Sequence, residues 1–144
     1  MPKSCRIEPV YTGSKNSFQF DLLCEDAKGE FGAGIIKAHK TKIAGKTRYV
    51  VDNVSVAESL QRKGWGTKLY EAAAAEACRR RAPLASKERT RGAKSIEFWA
   101  KQLRKGRAVI LSKRSGLEAR EKAPVYSLEC PAPASLAGRL RRRR

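Results

Sequence analysis

Glycines and cationic side chains come together in the middle of the chain, between a strand-like pattern and a helical one. Glycine lets a ligand approach the backbone closely, and the first turn of a helix has N–H groups without intrahelical partners. With cations beside them, these features are typical of a phosphate site at a helix N-terminus. The residues concerned are Gln61, Arg62, Lys63, Gly64, Trp65, Gly66 and Thr67.

Two common phosphate-binding loops do not fit this part of the chain. The dinucleotide motif G-x-G-x-x-G requires a third glycine, and Leu69 occupies that position. The last three positions of the nucleoside-triphosphate motif G-x-x-x-x-G-K-[ST] match the sequence that begins at Gly45. Lys40, however, occupies the position of its first glycine. The predicted phosphate site is therefore of another type.

A longer pattern includes the strand that precedes the loop. Val54-x-Val56 is followed by four residues and then by Gln61-x-x-Gly64-x-Gly66-x-x-Leu69. This string resembles the acyl-coenzyme A (CoA) motif of the GNAT superfamily of N-acetyltransferases, V-x-V followed by [RQ]-x-x-G-x-[GA]-x-x-L. The resemblance extends over residues 17–129 and is strongest over residues 49–81.

The resemblance implies a fold and an activity. The fold is a GNAT-like α/β (α+β) domain, with a mixed, mostly antiparallel sheet of about six or seven strands, a central cofactor-binding helix and a second, C-terminal helix. The activity is that of an acyl-CoA-dependent N-acyltransferase, which passes acetyl from acetyl-CoA, or another acyl group, directly to a primary amine. The acceptor stays open: a small amine, an antibiotic, a protein lysine or an aminoacyl-tRNA.

The resemblance also implies how the cofactor is held. Backbone N–H groups from Arg62 to Thr67 would bind the pyrophosphate. Val54, Ser55 and Val56 would pair with the pantetheine arm as with an added strand, and the Val56 N–H could hold the thioester oxygen as it becomes negative. The alternative is an ordinary strand, turn and helix without a ligand.

Two proton transfers complete the implied reaction. Family members use a carboxylate on the cofactor strand as a base, and Asp52 is the carboxylate within that strand. Strict alternation puts Asp52 on the face of Val54 and Val56, unless a bulge intervenes, and a paired or solvent-facing Asp52 is the alternative. Where the family has a tyrosine that protonates the thiolate, this chain has Trp99, which we expect in the core. Ser95, one helical turn earlier, could hydrogen-bond the sulfur instead.

Short turns between strand-like segments predict the sheet. Segments 17–24, 31–40 and 48–56 are joined too closely for crossovers, so we expect an antiparallel meander, preceded by an edge strand at 5–11. Residues 11–17 leave no room for the helices that GNAT proteins normally have there. The resemblance therefore implies shortened or missing N-terminal helices and an acceptor side that is open or completed by a second subunit, as in a possible homodimer.

The second half of the chain alternates helices with short strands. An Ala/Glu-rich segment from Leu69 predicts a long helix that ends at Arg79–Arg81 before Pro83, and residues 93–106 predict another helix. Strands are expected at 84–86, 107–113 and 123–129, the last two joined by a long hairpin or a partly helical connection. We expect one domain over residues 1–130 and a flexible Pro/Ala/Arg-rich tail over residues 131–144.

Charge is distributed unevenly along the chain. Its formal net charge is +18, and residues 61–144 hold 23 basic and 7 acidic residues, a net charge of +16. Such asymmetry favours a polyanionic partner. A non-catalytic nucleic-acid-binding protein on the same fold, or an acetyltransferase that acts on aminoacyl-tRNA, is therefore the alternative function.

The cysteine spacing and the hydropathy predict the compartment in which the protein works. Cys5, Cys24, Cys78 and Cys130 are widely spaced, the chain has one histidine, and it shows no signal peptide, so we expect reduced thiols in a cytoplasmic protein without a metal site. No apolar run approaches the length of a membrane span, so no membrane partner is expected.

Overall fold

The computed structural model of the 144-residue chain describes residues 4–43, 45–86, 93–112 and 125–130, with the backbone alone for 93–95 and 112. The strands are β1 (Ser4–Val10), β2 (Ser17–Asp26), β3 (Gly29–Ile43), β4 (Lys46–Val56), β5 (Leu84–Ala85), β6 (Ala108–Ser112) and β7 (Val125–Leu128). The helices are α1 (Trp65–Arg79) and α2 (Ala93–Arg104).

The strands form one seven-stranded sheet in the order β1-β2-β3-β4-β5-β7-β6. All pairs are antiparallel except β4–β5, which is parallel. The predicted meander is confirmed, and β1 pairs directly with β2 without a helix between them. The fold is therefore the expected α+β class with a mixed, mostly antiparallel sheet.

Both helices pack on the same face of the sheet. Helix α1 buries Leu69, Tyr70, Ala73 and Ala77, which recur at helical spacing, against apolar side chains of β2, β3 and β4. Helix α2 joins the same core through Trp99, whose ring stacks on Tyr126 of β7 and meets Tyr70 edge-on. The opposite face of the sheet, which we call the open face, carries polar side chains in register across β2, β3 and β4: Gln19, Asp21, Lys37, His39, Asn53 and Ser55.

The C-terminal end of α1 is fastened to β2. The Glu76 carboxylate accepts hydrogen bonds from Arg79 and Arg80, and these bonds, the one from Arg79 foremost, lower the pKa of Glu76 against the opposing effect of burial. Arg80 also donates to the Ser17 carbonyl at 3.2 Å and lies over the Phe18 ring at 5.2 Å. Helix α1 ends at Arg79, before Pro83, as the sequence predicted.

All four cysteines are paired, which corrects the expectation of reduced thiols. Cys5 bonds to Cys24, its cross-strand partner in the β1–β2 register. Cys78 of α1 bonds to Cys130 just after β7. Wide spacing in the sequence did not indicate these bonds, because each pair is brought together by strand register or by packing rather than by proximity along the chain.

Some predictions lie outside the described residues. These are the connection over 113–124 and the basic tail over 131–144. Within the described residues, neither α1 nor α2 combines the length and the apolarity that a membrane-spanning helix needs.

Candidate functional site

Strand β4 has an edge that no described strand covers. Its parallel partner β5 pairs only with Tyr49 and Val50, where the Tyr49 N–H donates to the Pro83 carbonyl at 2.9 Å. On the other side, the Ala57 N–H donates to Ala33 at 2.7 Å. Because successive N–H groups of a strand alternate in direction, those of Val54 and Val56 point away from β3, toward the uncovered edge.

A bulge in β4 produces this orientation. Lys37 pairs with Asn53 and Ala38 pairs with Val51, so Asp52 is an extra residue without a register partner. The predicted sharing of one face by Asp52, Val54 and Val56 is therefore wrong. Val54 and Val56 pack on the core as Tyr49 and Val51 do, whereas Asp52 is exposed.

Asp52 contacts the only histidine of the chain. Its Oδ1 lies 2.5 Å from Nδ1 of His39, and both side chains are nearly half exposed. His39 pairs with Val50, two residues before Asp52, so the contact crosses from β3 to β4 at the bulge. A carboxylate only accepts hydrogen bonds, so Nδ1 carries the donated hydrogen when the imidazole is neutral, and Nε2 is then the basic nitrogen.

The predicted phosphate loop connects β4 to α1 without any acidic residue in the first helical turn. A 3₁₀ turn at Glu58–Leu60 precedes it, and the buried Leu60 anchors that turn in the core. Arg62 has a φ of 66°, in the left-handed region that is uncommon for residues other than glycine, and Gly64 caps α1 with a φ of 85°. The first intrahelical bond runs from Lys68 to Gly64, so the N–H groups of Trp65, Gly66 and Thr67 have no intrahelical acceptor.

The loop leaves room for a ligand. A Cβ added at Gly64 or Gly66 would meet no protein atom within 4 Å. Arg62 and Lys63 are exposed beside the two glycines, and Lys68 lies over the Trp65 ring at 4.4 Å. Open space, three N–H groups without an intrahelical acceptor and exposed cations match what a pyrophosphate requires, so the residues present fit an acyl-CoA.

Gln61 has a structural contact that the motif did not predict. Its Nε2 donates to the Val56 carbonyl at 3.0 Å, which connects the start of the loop to the end of β4. This bond connects the end of β4 to the loop that leads into α1. The prediction that Gln61 binds the cofactor stays a prediction.

The predicted proton donor to sulfur is not tested by the structure. The side chain of Ser95 lies outside the described residues, although its backbone belongs to α2. Trp99 is 1% exposed and contacts three aromatic rings, so the prediction that it is a core residue is confirmed.

Sequence reasoning brought Asp52 and the cofactor residues to one place but missed His39. A lone histidine within a strand carries no local signal of a partner on the next strand. The only signal available was the meander itself, which places β3 beside β4 and therefore makes contacts between their polar side chains possible.

Solved structures show the same fold. IAA acetyltransferase from Bacillus cereus ATCC 14579 matches with a TM-score of 0.59 and 16% identity, over 88% of this chain and 100% of that protein. The KacTA–DNA complex matches with a TM-score of 0.58 and 13% identity, over 98% and 100%. A mutant AtaT toxin bound to the C-terminus of the antitoxin AtaR and acetyl-CoA matches with a TM-score of 0.55 and 14% identity, over 85% and 92%.

These likenesses are of fold and not of close sequence. No protein-family model matches the chain, and no curated protein matches it in sequence. The chain therefore has the fold of the GNAT acetyltransferases, as the motif from Val54 to Leu69 predicted.

Proposed function

We propose that this protein is an acyl-CoA-dependent N-acyltransferase that transfers acetyl from acetyl-CoA directly to a primary amine. The observation that carries the proposal is the continuity of the uncovered β4 edge with the phosphate loop. N–H groups of Val54 and Val56 lead to those of Trp65, Gly66 and Thr67, with Gln61 bridging the two parts. A strand edge followed by a helix N-terminus suits a ligand with an extended amide arm and a pyrophosphate.

Each part of the site would have one task. Backbone groups of Val54, Ser55 and Val56 would pair with the pantetheine arm, and Arg62 to Thr67 would hold the pyrophosphate, with Lys63 as a nearby cation. Acetyl-CoA supplies the activated thioester. The Val56 N–H would donate to the thioester oxygen, which gains negative charge during transfer. In support, one protein of the same fold is bound to acetyl-CoA.

The base in this proposal is His39, with Asp52 as the residue that positions it. Asp52 takes the positioning role because its Oδ1 contacts His39 Nδ1 at 2.5 Å. The carboxylate orients the imidazole, and Nε2 accepts the proton that the attacking amine must lose. Ser95 is retained as the proposed hydrogen-bond donor to the departing sulfur.

Calorimetric titration of acetyl-CoA tests the proposal with Gly66→Glu as the main variant. A Cβ at this position would meet no protein atom within 4 Å, and an acidic residue is favourable in the first turn of a helix, so the variant should fold. Its carboxylate would, however, repel the pyrophosphate beside the N–H groups. We expect micromolar binding by the wild type and an affinity at least about tenfold weaker in the variant.

Ala75→Glu is the matched control, because it adds the same charge to an exposed position of α1 outside the loop. We expect its affinity to stay near that of the wild type. Absence of acetyl-CoA binding by the folded wild type would refute the proposal, and equal binding by Gly66→Glu would refute the placement of the pyrophosphate.

A second candidate function is nucleic-acid binding. The net charge of +16 over residues 61–144 favours it, and one solved structure of the same fold is a protein–DNA complex. Exposed cations of α2 and the turn after it, namely Lys101, Arg104, Lys105 and Arg107, would contribute. The test is affinity for duplex DNA as a function of salt, with and without residues 139–144: affinity that falls steeply with salt and drops on deletion supports this function.

A further inference from the structure

The open face of the sheet contains a groove outside the proposed cofactor site. Its volume is about 410 Å³, within the range of small-molecule sites. Eight residues of β2, β3, β4 and the turn after β4 line it: Gln19, Asp21, Gly32, Ala33, Gly34, Ile35, Ser55 and Ala57.

Backbone geometry creates the groove. Leu22 pairs with Gly34 and Leu23 with Gly32, so Ala33 is an extra residue in β3, and its side chain is buried in the core. The glycines on either side contribute no side chain. At Gly34 none fits, because a Cβ there would lie 2.7 Å from the Ser55 carbonyl oxygen. The floor of the groove is thus set by the close approach of β3 and β4.

Asp21 is the one ionisable residue among those that line the groove. It is half-buried, and its Oδ1 accepts a hydrogen bond from Gln19 Nε2 at 2.8 Å. No cation of the described residues lies within 4.0 Å of its carboxylate, whereas Glu8, its register partner on β1, is paired with Arg6. Lys37 is its diagonal neighbour on β3. A carboxylate without a cationic partner in a chain of net charge +18 has the chemistry to bind an ammonium group.

The groove leads from Asp21 to the proposed transfer edge. Asp21, Ile35 and Ser55 are register partners on three successive strands. Two interstrand spacings therefore separate Asp21 from Ser55, about 9–10 Å between their Cα atoms. Ser55 stands between Val54 and Val56, Ile35 lies between Asp21 and Ser55, and Ala57 adds apolar surface beyond Ser55. The groove has an anionic end, an apolar middle and an end beside the uncovered strand edge.

We propose that this groove is the acceptor subsite for an aliphatic diamine or polyamine, an inference that rests on the proposed function. Asp21 binds one ammonium group, the methylene chain lies on Ile35 and Ala57, and a second amine reaches the β4 edge. There its nitrogen forms a bond to the acyl carbon while the bond from that carbon to sulfur breaks. The proton lost by nitrogen passes through water to His39, which lies four residues from Ile35 along β3, and free coenzyme A leaves with a proton on sulfur.

Calorimetric titration of spermidine into protein saturated with coenzyme A tests the subsite without turnover. We expect binding by the wild type and an affinity about tenfold weaker in Asp21→Asn, because a hydrogen bond to a charged group is lost. Propylamine, which has a single ammonium group, should bind more weakly than spermidine to the wild type. Glu25→Gln is the matched control, since it removes one exposed negative charge from the same strand outside the groove.

Two results separate this subsite from the cofactor site. If acetyl-CoA binds but spermidine does not, or binds equally to wild type and Asp21→Asn, the subsite is refuted and the transferase proposal stands. If acetyl-CoA does not bind at all, the transferase proposal itself fails. Loss of spermidine affinity in Glu25→Gln as large as that in Asp21→Asn would show a general charge effect and would also refute the subsite.

Discussion

At the scale of single residues, the site depends on one extra residue in a strand. Asp52 interrupts the alternation of β4, so the valines after it keep their place on the core and Asp52 itself reaches His39. A bulge changes the direction of side chains locally without a change of fold. Here it brings the Asp52 carboxylate into contact with the His39 imidazole, the pair that we propose as the base and its positioning residue.

His39→Gln should lower kcat for acetyl transfer to spermidine by about 10²-fold while the KM for acetyl-CoA changes little, because a general base typically contributes that much. Thiol release from acetyl-CoA, measured at varied acetyl-CoA with saturating spermidine, checks both kcat and KM.

Asp52→Asn separates positioning from catalysis. It should reduce kcat less than His39→Gln does and leave the KM for acetyl-CoA unchanged, because the imidazole remains but the carboxylate no longer orients it. An unchanged kcat in His39→Gln would rule out the histidine as the base.

At the scale of elements, α1 has two functions at its two ends. Its N-terminus supplies the N–H groups of the candidate phosphate site, whereas its C-terminus is fastened to β2 through Arg80. Glu76 holds Arg79 and Arg80 on one side of the helix. The anchored end keeps the helix axis, and with it the first turn, in a constant position relative to β4.

Glu76→Gln should destabilise the protein by about 0.5–1 kcal/mol at neutral pH, as expected for helical ion pairs. The pKa of Glu76 is lower in the folded state than in the unfolded chain, so its stabilisation is fully present above the unfolded value and is lost as pH falls through the folded value. The difference between variant and wild type in urea unfolding should therefore vanish in acid. A difference that is constant across pH would show that the ion pairs are not its cause.

At the scale of the whole molecule, the disulfides connect distant parts of the chain. Cys5–Cys24 closes the β1–β2 hairpin with a sequence separation of 19, and Cys78–Cys130 joins α1 to the end of the sheet with a separation of 52. Restriction of the unfolded chain stabilises the folded state by about 3 kcal/mol for the shorter loop and about 4 kcal/mol for the longer one. The second bond links α1 to the residues just after β7, the strand whose Tyr126 stacks on Trp99 of α2.

Urea unfolding with and without a thiol reductant should show the contribution of both bonds. The wild type should lose the stabilisation of both disulfides on reduction. A Cys78→Ser, Cys130→Ser double variant keeps only Cys5–Cys24, so reduction should lower its free energy of unfolding by about 3 kcal/mol. Titration of four free thiols in the untreated native protein, or equal stability with and without reductant, would contradict the pairing.

Local sequence patterns predicted the order of elements, the antiparallel meander and the loop between β4 and α1, because alternation, helical spacing and glycines are properties of neighbouring residues. The motif from Val54 to Leu69 therefore predicted both the fold and the candidate cofactor residues. Local patterns also predicted Trp99 as a core aromatic residue and the absence of a helix between β1 and β2.

The contacts between side chains far apart in the chain became known from the folded structure alone. The bulge at Asp52, its contact with His39, the groove at Asp21 and the two disulfides all depend on cross-strand register or on packing between elements far apart in the chain. A shift of register by one residue turns every following side chain to the other face, and alternation within one strand does not show where such a shift occurs. The candidate cofactor edge could therefore be predicted from the single segment Val54 to Leu69. The candidate base and the acceptor groove form only when β2, β3 and β4 are aligned.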